Sequence, residues 1–185
     1  MNANPCRMPG QSRVGVTASE RRTRVTTLGI ALLCCATATA RAANWVINST
    51  GIGDDFPNIQ AAINSASVVA GDYILLKDGT YTGPGNRDVN FQGKNVTVKS
   101  QNGNPLNCVI DCQGSFNAPH RAFLFVNGET SAMLHSIKVV NGGTAYGVGA
   151  AVYASGASPY LYNCIVQSCR AEGADGGAVY LENSP

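Results

Sequence analysis

Two pairs of side chains could take part in catalysis or binding, and in each pair the two residues are 27 positions apart in the sequence. Asp111 and Lys138 would place an acid beside a cation on adjacent strands. That pair could serve catalysis, although a surface ion pair worth about 0–1 kcal/mol is the simpler interpretation. Tyr153 and Tyr180 would stack two phenol rings, which can hold a sugar ring by its face or pack as ordinary neighbours across strands. These four residues are the candidate binding residues of the sequence.

No catalytic or metal-binding cluster can be assembled from the sequence. The acidic residues after residue 43 are scattered, and His120 and His135 stand alone. Cys108 and Cys112 lack the CxxC spacing of metal sites, and as strand residues they would lie roughly 13 Å apart, too far for a disulfide. We therefore assign no catalytic residue, metal or cofactor, and we interpret the cysteines as small buried apolar residues. The cysteines concerned are Cys108, Cys112, Cys164 and Cys169.

The step of 27 also recurs in the apolar pattern, and it determines the expected architecture. Apolar and polar residues alternate within each repeat, which is typical of β-strands, and glycine, asparagine and Ser-Pro groups separate the strands. No helical pattern lies between them, so short turns must connect parallel strands and the chain must wind as a coil. We predict an all-β solenoid with about 27 residues per turn. Three ladders carry the step: Val98, Phe125, Val152 and Val179; Ile110, Ile137 and Cys164; and Cys112, Val139 and Val166.

One helical pattern precedes the strands. Ile59, Ala62, Ile63 and Ala66 recur at positions i, i+3, i+4 and i+7, which is typical of an amphipathic helix, and Pro57 suits its first position. We predict a short N-terminal helix that caps the open bottom of the stack, because an uncovered strand edge pairs with other chains.

The beginning of the chain has the pattern of an export signal. Three arginines at residues 21–24 precede an apolar run at residues 28–36, which is shorter than the about 20 residues that a membrane span needs. Ala40-Arg41-Ala42 then provides a cleavage site before Ala43. We predict an export signal at residues 1–42, a β-helix at residues 43–185, and an extracellular or outer cell-surface location.

Removal of residues 1–42 reverses the sign of the net charge. The chain has 13 basic and 11 acidic residues, of which six and one lie in residues 1–42, so residues 43–185 carry seven positive and ten negative charges. The net charge of −3 gives no reason to expect nucleic acid as a partner. No second apolar run reaches membrane-spanning length, so we expect no transmembrane segment in residues 43–185.

The entry segment resembles a known family. Asp55-Phe56-Pro57-Asn58-Ile59-Gln60-Ala61-Ala62-Ile63, followed by Gly71-Asp72-Tyr73-Ile74-Leu75-Leu76, is similar to the start of right-handed parallel β-helix proteins of the pectin-lyase-like superfamily. Residues 107–112 and 176–180 resemble repeats of bacterial secreted members, including the polymorphic outer-membrane type. The resemblance implies a right-handed parallel β-helix, a fold that carries lyases, hydrolases, esterases and adhesins.

The functional expectation is a secreted or cell-surface β-helix that binds polysaccharide, a cell-surface glycan or another surface without catalysis. The alternative is a polysaccharide-degrading enzyme, either a pectate-lyase-like lyase that would use Ca²⁺ or a glycoside hydrolase that would use paired carboxylates. Because the sequence stops at Pro185 in the middle of a turn, we expect the β-helix to be truncated at its C-terminal end. Residues 177–185 should then present an unpaired strand edge through which the chain self-associates.

Overall fold

A computed structural model of the chain describes residues 41–145, 147–173 and 177–184. Residues 1–40 of the predicted export signal (residues 1–42) lie outside the described residues. In chain order the elements are β1 (Asn44–Ile47), α1 (Ile59–Asn64), β2 (Tyr73–Leu76), β3 (Gly79–Tyr81), β4 (Val89–Asn90), β5 (Thr97–Ser100), a 3₁₀ turn (Pro105–Asn107), β6 (Cys108–Asp111), β7 (Phe123–Phe125), β8 (Met133–His135), β9 (Lys138–Val140), β10 (Gly143–Ala145), β11 (Val152–Ser155), β12 (Tyr160–Tyr162), β13 (Ile165–Gln167), β14 (Arg170–Glu172) and β15 (Val179–Glu182).

The strands stack in parallel sheets. One sheet has the order β1-β2-β5-β8-β12, a second β3-β6-β9-β13, a third β4-β7-β11-β15, and β10 pairs with β14. Together they form a β-solenoid of about 5 turns with about 29 residues per turn. This confirms the predicted all-β solenoid. None of the described helices has the length and apolar character that a membrane crossing requires.

The interior is filled by the inward-facing residues of each strand. In β6 and β11 buried residues alternate with half-buried ones, as expected for strands with one face on the core. Phe91 lies between two phenylalanines of β7, with ring centroids 6.2 Å from Phe123 and 4.3 Å from Phe125. Each of these rings is fully buried, and burial of such a side chain is worth about 1.5–3 kcal/mol.

The predicted register holds in the upper turns. Val152 lies opposite Val179, and Val139 lies opposite Val166, both at the step of 27. Val152 faces the interior and is 1% exposed, as its position in the alternating pattern predicts.

The same step is wrong in the lower turns. Ile110 lies opposite Val139 instead of Ile137, so Cys112 does not meet Val139. Val98 lies between Ile74 and Leu134. Phe125, the residue expected above Val98, belongs to another sheet and lies opposite Ala154. Loops of unequal length separate these strands, and a spacing counted along the chain loses register wherever the loop length changes.

Non-glycine residues in the left-handed conformation form corners of the coil. Ser136 (φ 55°) follows β8, and Asn163 (φ 52°) follows β12 at the equivalent place one turn higher. Asn163 Nδ2 donates to Ser136 Oγ at 2.9 Å. Asparagine tolerates the left-handed conformation better than most residues. The hydrogen bond from its side chain links the corners of two successive turns.

The predicted helix is present and covers the lower edge of β4. It begins at Ile59 with Asn58 as its N-cap, whose side chain accepts from Ala61 N at 2.8 Å. Pro57 therefore precedes the cap and does not occupy the first helical position. Gln60 Oε1 accepts from Asn90 N at 2.8 Å, and its Nε2 donates to Asn90 O at 3.0 Å. The Gln60 amide thus pairs with the strand edge as the backbone of another strand would.

Gln60→Ala should lower the free energy of unfolding by about 1–2 kcal/mol, because it leaves the backbone N–H and C=O of Asn90 without these partners. Urea denaturation measures the change, and Gln167→Ala, at an exposed glutamine of β13, is the matched control. An equal loss in both variants would show that the Gln60 amide does not hold the edge.

Candidate functional site

Tyr153 and Tyr180 form the stacked pair that their spacing predicts. They lie opposite each other in β11 and β15. Their ring centroids are 5.8 Å apart, and the ring planes differ by 7°. Both side chains are half-buried, and Tyr153 faces away from the core because its neighbours Val152 and Ala154 face inward. Strand alternation therefore places two parallel rings on the outer surface.

Arg121 extends this aromatic pair. Its Cζ lies 5.3 Å from the centroid of the Tyr153 ring, within the range of a cation–π interaction. One guanidinium nitrogen donates to Val148 O at 3.0 Å, whereas the buried Nε has no hydrogen-bond partner among the described residues. The guanidinium thus lies beside the tyrosine stack with unused donor capacity.

The Asp88 carboxylate and the His120 ring are in contact next to Arg121. Oδ2 of Asp88 lies 2.6 Å from Nδ1 of His120, and Oδ1 accepts from Arg121 N at 2.9 Å. The backbone of His120 exchanges two hydrogen bonds with Gly143 in an antiparallel bridge. When Nδ1 carries the proton and donates to Asp88, Nε2 is left as a proton acceptor. The arrangement can therefore orient a histidine that accepts a proton or a hydrogen bond.

These groups surround a pocket of about 300 Å³, at the lower end of the range for small-molecule sites. Thr144 contributes a hydroxyl that donates to Gly147 O at 2.8 Å. Gly143, which precedes Thr144 in the chain, is closely packed, since a Cβ added there would lie 2.6 Å from Ser115 N. Residues that line the pocket are Asp88, Pro119, His120, Arg121, Thr144, Ala145 and Gly147. Arg121 belongs both to this pocket and to the aromatic surface, so the two are continuous.

The structure does not bring together the other candidate pair. Asp111 lies opposite Val140, and Lys138 lies opposite Val109. The two candidates are thus displaced along the strands, and no ion pair between them occurs in the described part of the chain. The Asp111 carboxylate instead accepts from Gln113 N and from Asn141 Nδ2, both at 3.0 Å. The expectation that Asp111 and Lys138 lie opposite each other is wrong, because 29 residues, not 27, separate paired positions of β6 and β9.

A second aromatic contact lies on a different sheet. His135 and Tyr162 have ring centroids 4.8 Å apart, and β8 and β12 bring them into register. Tyr162 is 61% exposed. It is therefore a suitable control for an exposed tyrosine on another sheet of the solenoid, away from the pocket lining.

The cysteines of the described region lie inside the stack or at its margin as free thiols. Cys108 and Cys112 are buried, and burial raises the pKa of both thiols to about 12. Burial also raises the pKa of Cys164 and of Cys169, which are half-buried. Within the described ranges, no group of three or more His, Cys, Asp or Glu side chains could hold a metal ion.

Cys108 and Cys112 should resist alkylation in the native protein at pH 8. With a pKa of about 12 each has roughly a thousandfold less thiolate than an ordinary thiol, and the thiolate is the reactive form. Peptide mapping by mass spectrometry after brief iodoacetamide treatment measures the labelling of each site. Rapid native labelling of either cysteine, at the rate seen in urea, would contradict its buried position.

Sequence reasoning missed Asp88, His120 and Arg121 as a group. The signal was present in the adjacent His120-Arg121 dipeptide, but Asp88 lies 32 residues before His120 and falls outside the step of 27. The bridge between His120 and Gly143 shows how the long loop after β6 folds back to complete the site.

The chain matches no family model, no curated protein and no solved structure.

Proposed function

We propose that this protein is an exported β-solenoid that binds a polysaccharide or cell-surface glycan through the Tyr153 face. This face comprises Tyr153, Tyr180, Arg121 and the pocket at Asp88 and His120. The observation that carries the proposal is the position of Arg121, which lies over the Tyr153 ring at 5.3 Å and also lines the pocket.

The chemistry of the face suits a sugar. Sugar rings have an apolar face that packs on aromatic rings, and the two parallel tyrosine rings provide such a surface. Sugars also carry hydroxyl groups around their edge, which pair with charged and polar side chains. The Asp88 carboxylate, the His120 ring and the Arg121 guanidinium supply both acceptors and donors beside the stack.

Export and membership of the pectin-lyase-like superfamily are parts of the same proposal. Export is supported by the basic, apolar and small-residue pattern of residues 1–42. Superfamily membership is supported by the motifs at residues 55–63 and 71–76, which lie in the segment that includes α1 and β2.

Retention of the protein on a panel of insoluble polysaccharides tests the binding proposal. The double variant Tyr153→Ala with Arg121→Ala should lose at least tenfold in affinity for a retained polysaccharide, because it removes the stacking surface and the adjoining cation. Tyr162→Ala should bind as the wild type does. Absence of retention on every polysaccharide, or an equal loss in both variants, would overturn the proposal.

A polysaccharide-degrading enzyme is the second candidate, and the Asp88–His120 pair at 2.6 Å favours it. A carboxylate that orients a histidine is an arrangement suited to general-base catalysis. The test is release of reducing or unsaturated oligosaccharides by the wild type and by His120→Ala, with and without Ca²⁺. Release that His120→Ala abolishes would support the enzyme, and binding without release would support the binding module.

Self-association is a further part of the proposal. Among the described strands, β12, β13, β14 and β15 each end their sheet and have one unpaired edge. Leu161 and Leu181 on these strands are 37% and 54% exposed. Unpaired edges with apolar side chains recruit other chains, so sedimentation velocity should show mass that rises with concentration. A constant monomer mass from micromolar to millimolar protein would contradict it.

A further inference from the structure

Asp72 is an almost fully buried carboxylate at the bottom of the solenoid. It is 2% exposed and accepts three hydrogen bonds. Trp45 Nε1 and Val69 N donate to Oδ2 at 3.0 Å each, and Ala43 N donates to Oδ1 at 2.8 Å. These donors fix the position of the carboxylate against β1 and the segment before β2.

Asp72 has a negative charge without a cationic partner in the described part of the chain. Burial alone raises the pKa of Asp72, but the hydrogen bonds from Trp45, Val69 and Ala43 outweigh this effect, and the pKa is lower than its ordinary value. No ion pair of the described residues includes Asp72. A buried ionised carboxylate is most stable beside a positive charge, and its three donors are all neutral N–H groups.

The backbone of Ala43 is held at both its N–H and its carbonyl. Its carbonyl accepts from Tyr73 N at 2.9 Å, and β1 begins at the next residue, Asn44. Arg41 and Ala42 are exposed. The small-residue motif Ala40-Arg41-Ala42 independently places export cleavage before Ala43.

We propose that the Ala42–Ala43 peptide bond is a processing site and that Asp72 is the receptor for the α-ammonium group released there. A peptidase of the export machinery would hydrolyse this bond, with water supplying OH to the Ala42 carboxyl and H to the Ala43 nitrogen, which then takes a proton from solvent. The nitrogen that donates to Asp72 as a neutral amide thereby becomes a cation 2.8 Å from Oδ1. The inference rests on the export part of the proposed function and is independent of glycan binding.

Cleavage would therefore strengthen a contact that already exists. In the uncleaved chain the ionised Asp72 accepts a hydrogen bond from a neutral amide, whereas after cleavage the donor is also charged, and the attraction between opposite charges adds to the hydrogen bond. Processing and stability of the first turn therefore become linked.

The first experiment identifies the N-terminal residue of the exported protein. The full-length gene is expressed in an exporting host, and the product is analysed by intact mass and N-terminal sequencing. Ala43 is the expected N-terminus. Retention of residues 1–42, or cleavage at another bond, would overturn the inference while leaving glycan binding to its own assay.

The second experiment measures the rate of acetylation of the Ala43 α-amine in the processed protein at pH 7, where α-amines react in preference to lysines. We expect acetylation of the native wild type to be at least tenfold slower than in urea, and Asp72→Asn to recover most of that rate. Asp55→Asn is the control, because Asp55 also accepts a backbone N–H, from Val46. Equal native rates in wild type and Asp72→Asn would overturn the pairing. If the variant does not fold, the acetylation rates of native and urea-unfolded wild type still test whether the fold protects the Ala43 α-amine, and equal rates would overturn the inference.

Discussion

Val152→Asp should destabilise the protein by about 4 kcal/mol or more, which is a large share of the 5–15 kcal/mol typical of a folded domain. Val152 is 1% exposed and lies between Phe123 of the turn below and Val179 of the turn above. A carboxylate on the inward face of this apolar ladder would be buried as a charge. Urea denaturation followed by circular dichroism measures the loss.

Tyr153→Asp is the matched control at the adjacent position. Tyr153 faces outward, so its replacement removes the ring contacts with Tyr180 and Arg121 and should cost about 1–2 kcal/mol. The same substituent is thus placed on the two faces of one strand. Equal losses in the two variants would show that the inward and outward faces of β11 are wrongly assigned.

Glu129→Ala should cost about 1–3 kcal/mol, because it removes the acceptor of two part-buried backbone hydrogen bonds. Glu129 is fully buried. Its Oε1 accepts from Gly93 N at 2.8 Å, and its Oε2 accepts from Asn127 N at 3.0 Å. The side chain thereby links the loop before β5 to the loop of the next turn. Thermal unfolding of Glu129→Ala and wild type measures how much this link contributes to stability.

Two further variants separate this link from a general effect of removing charge. Glu129→Gln keeps one acceptor oxygen but presents an NH₂ group to the second donor, so it should fall between Ala and wild type. Glu182→Ala removes an exposed glutamate of β15 and should change stability by less than about 0.5 kcal/mol. A loss on Glu129→Ala no larger than that of Glu182→Ala would mean that the buried carboxylate contributes nothing.

The architecture could be predicted from the sequence because alternation and repeat length survive changes in the loops. Two predictions succeeded in the uppermost turns: that Val152 faces inward and that Tyr153 pairs with Tyr180. They succeeded because the loops there have matching lengths and the step of 27 residues holds. The N-terminal helix was predictable from its apolar spacing. The role of Gln60 was not, because a side chain that pairs with a strand edge leaves no periodic signal.

The site was only half predictable for the same physical reason. Asp111 and Lys138 were paired by a step of 27 residues, but the step from β6 to β9 is 29 residues, so Lys138 lies opposite Val109. His120 lies in a loop whose path is fixed by its bridge to Gly143. Such long-range contacts follow from tertiary packing, so the approach of His120 to Asp88 cannot be obtained from local pattern.

The central claim is that the Tyr153 face binds glycan, and a calorimetric titration tests it most directly. An oligosaccharide from the retained polysaccharide is titrated into wild type, Tyr153→Ala and Tyr162→Ala, with each variant first shown to be folded by circular dichroism. We predict one binding event in wild type and in Tyr162→Ala, and an affinity at least tenfold lower in Tyr153→Ala. Unchanged affinity in Tyr153→Ala, or a loss confined to Tyr162→Ala, would contradict the claim.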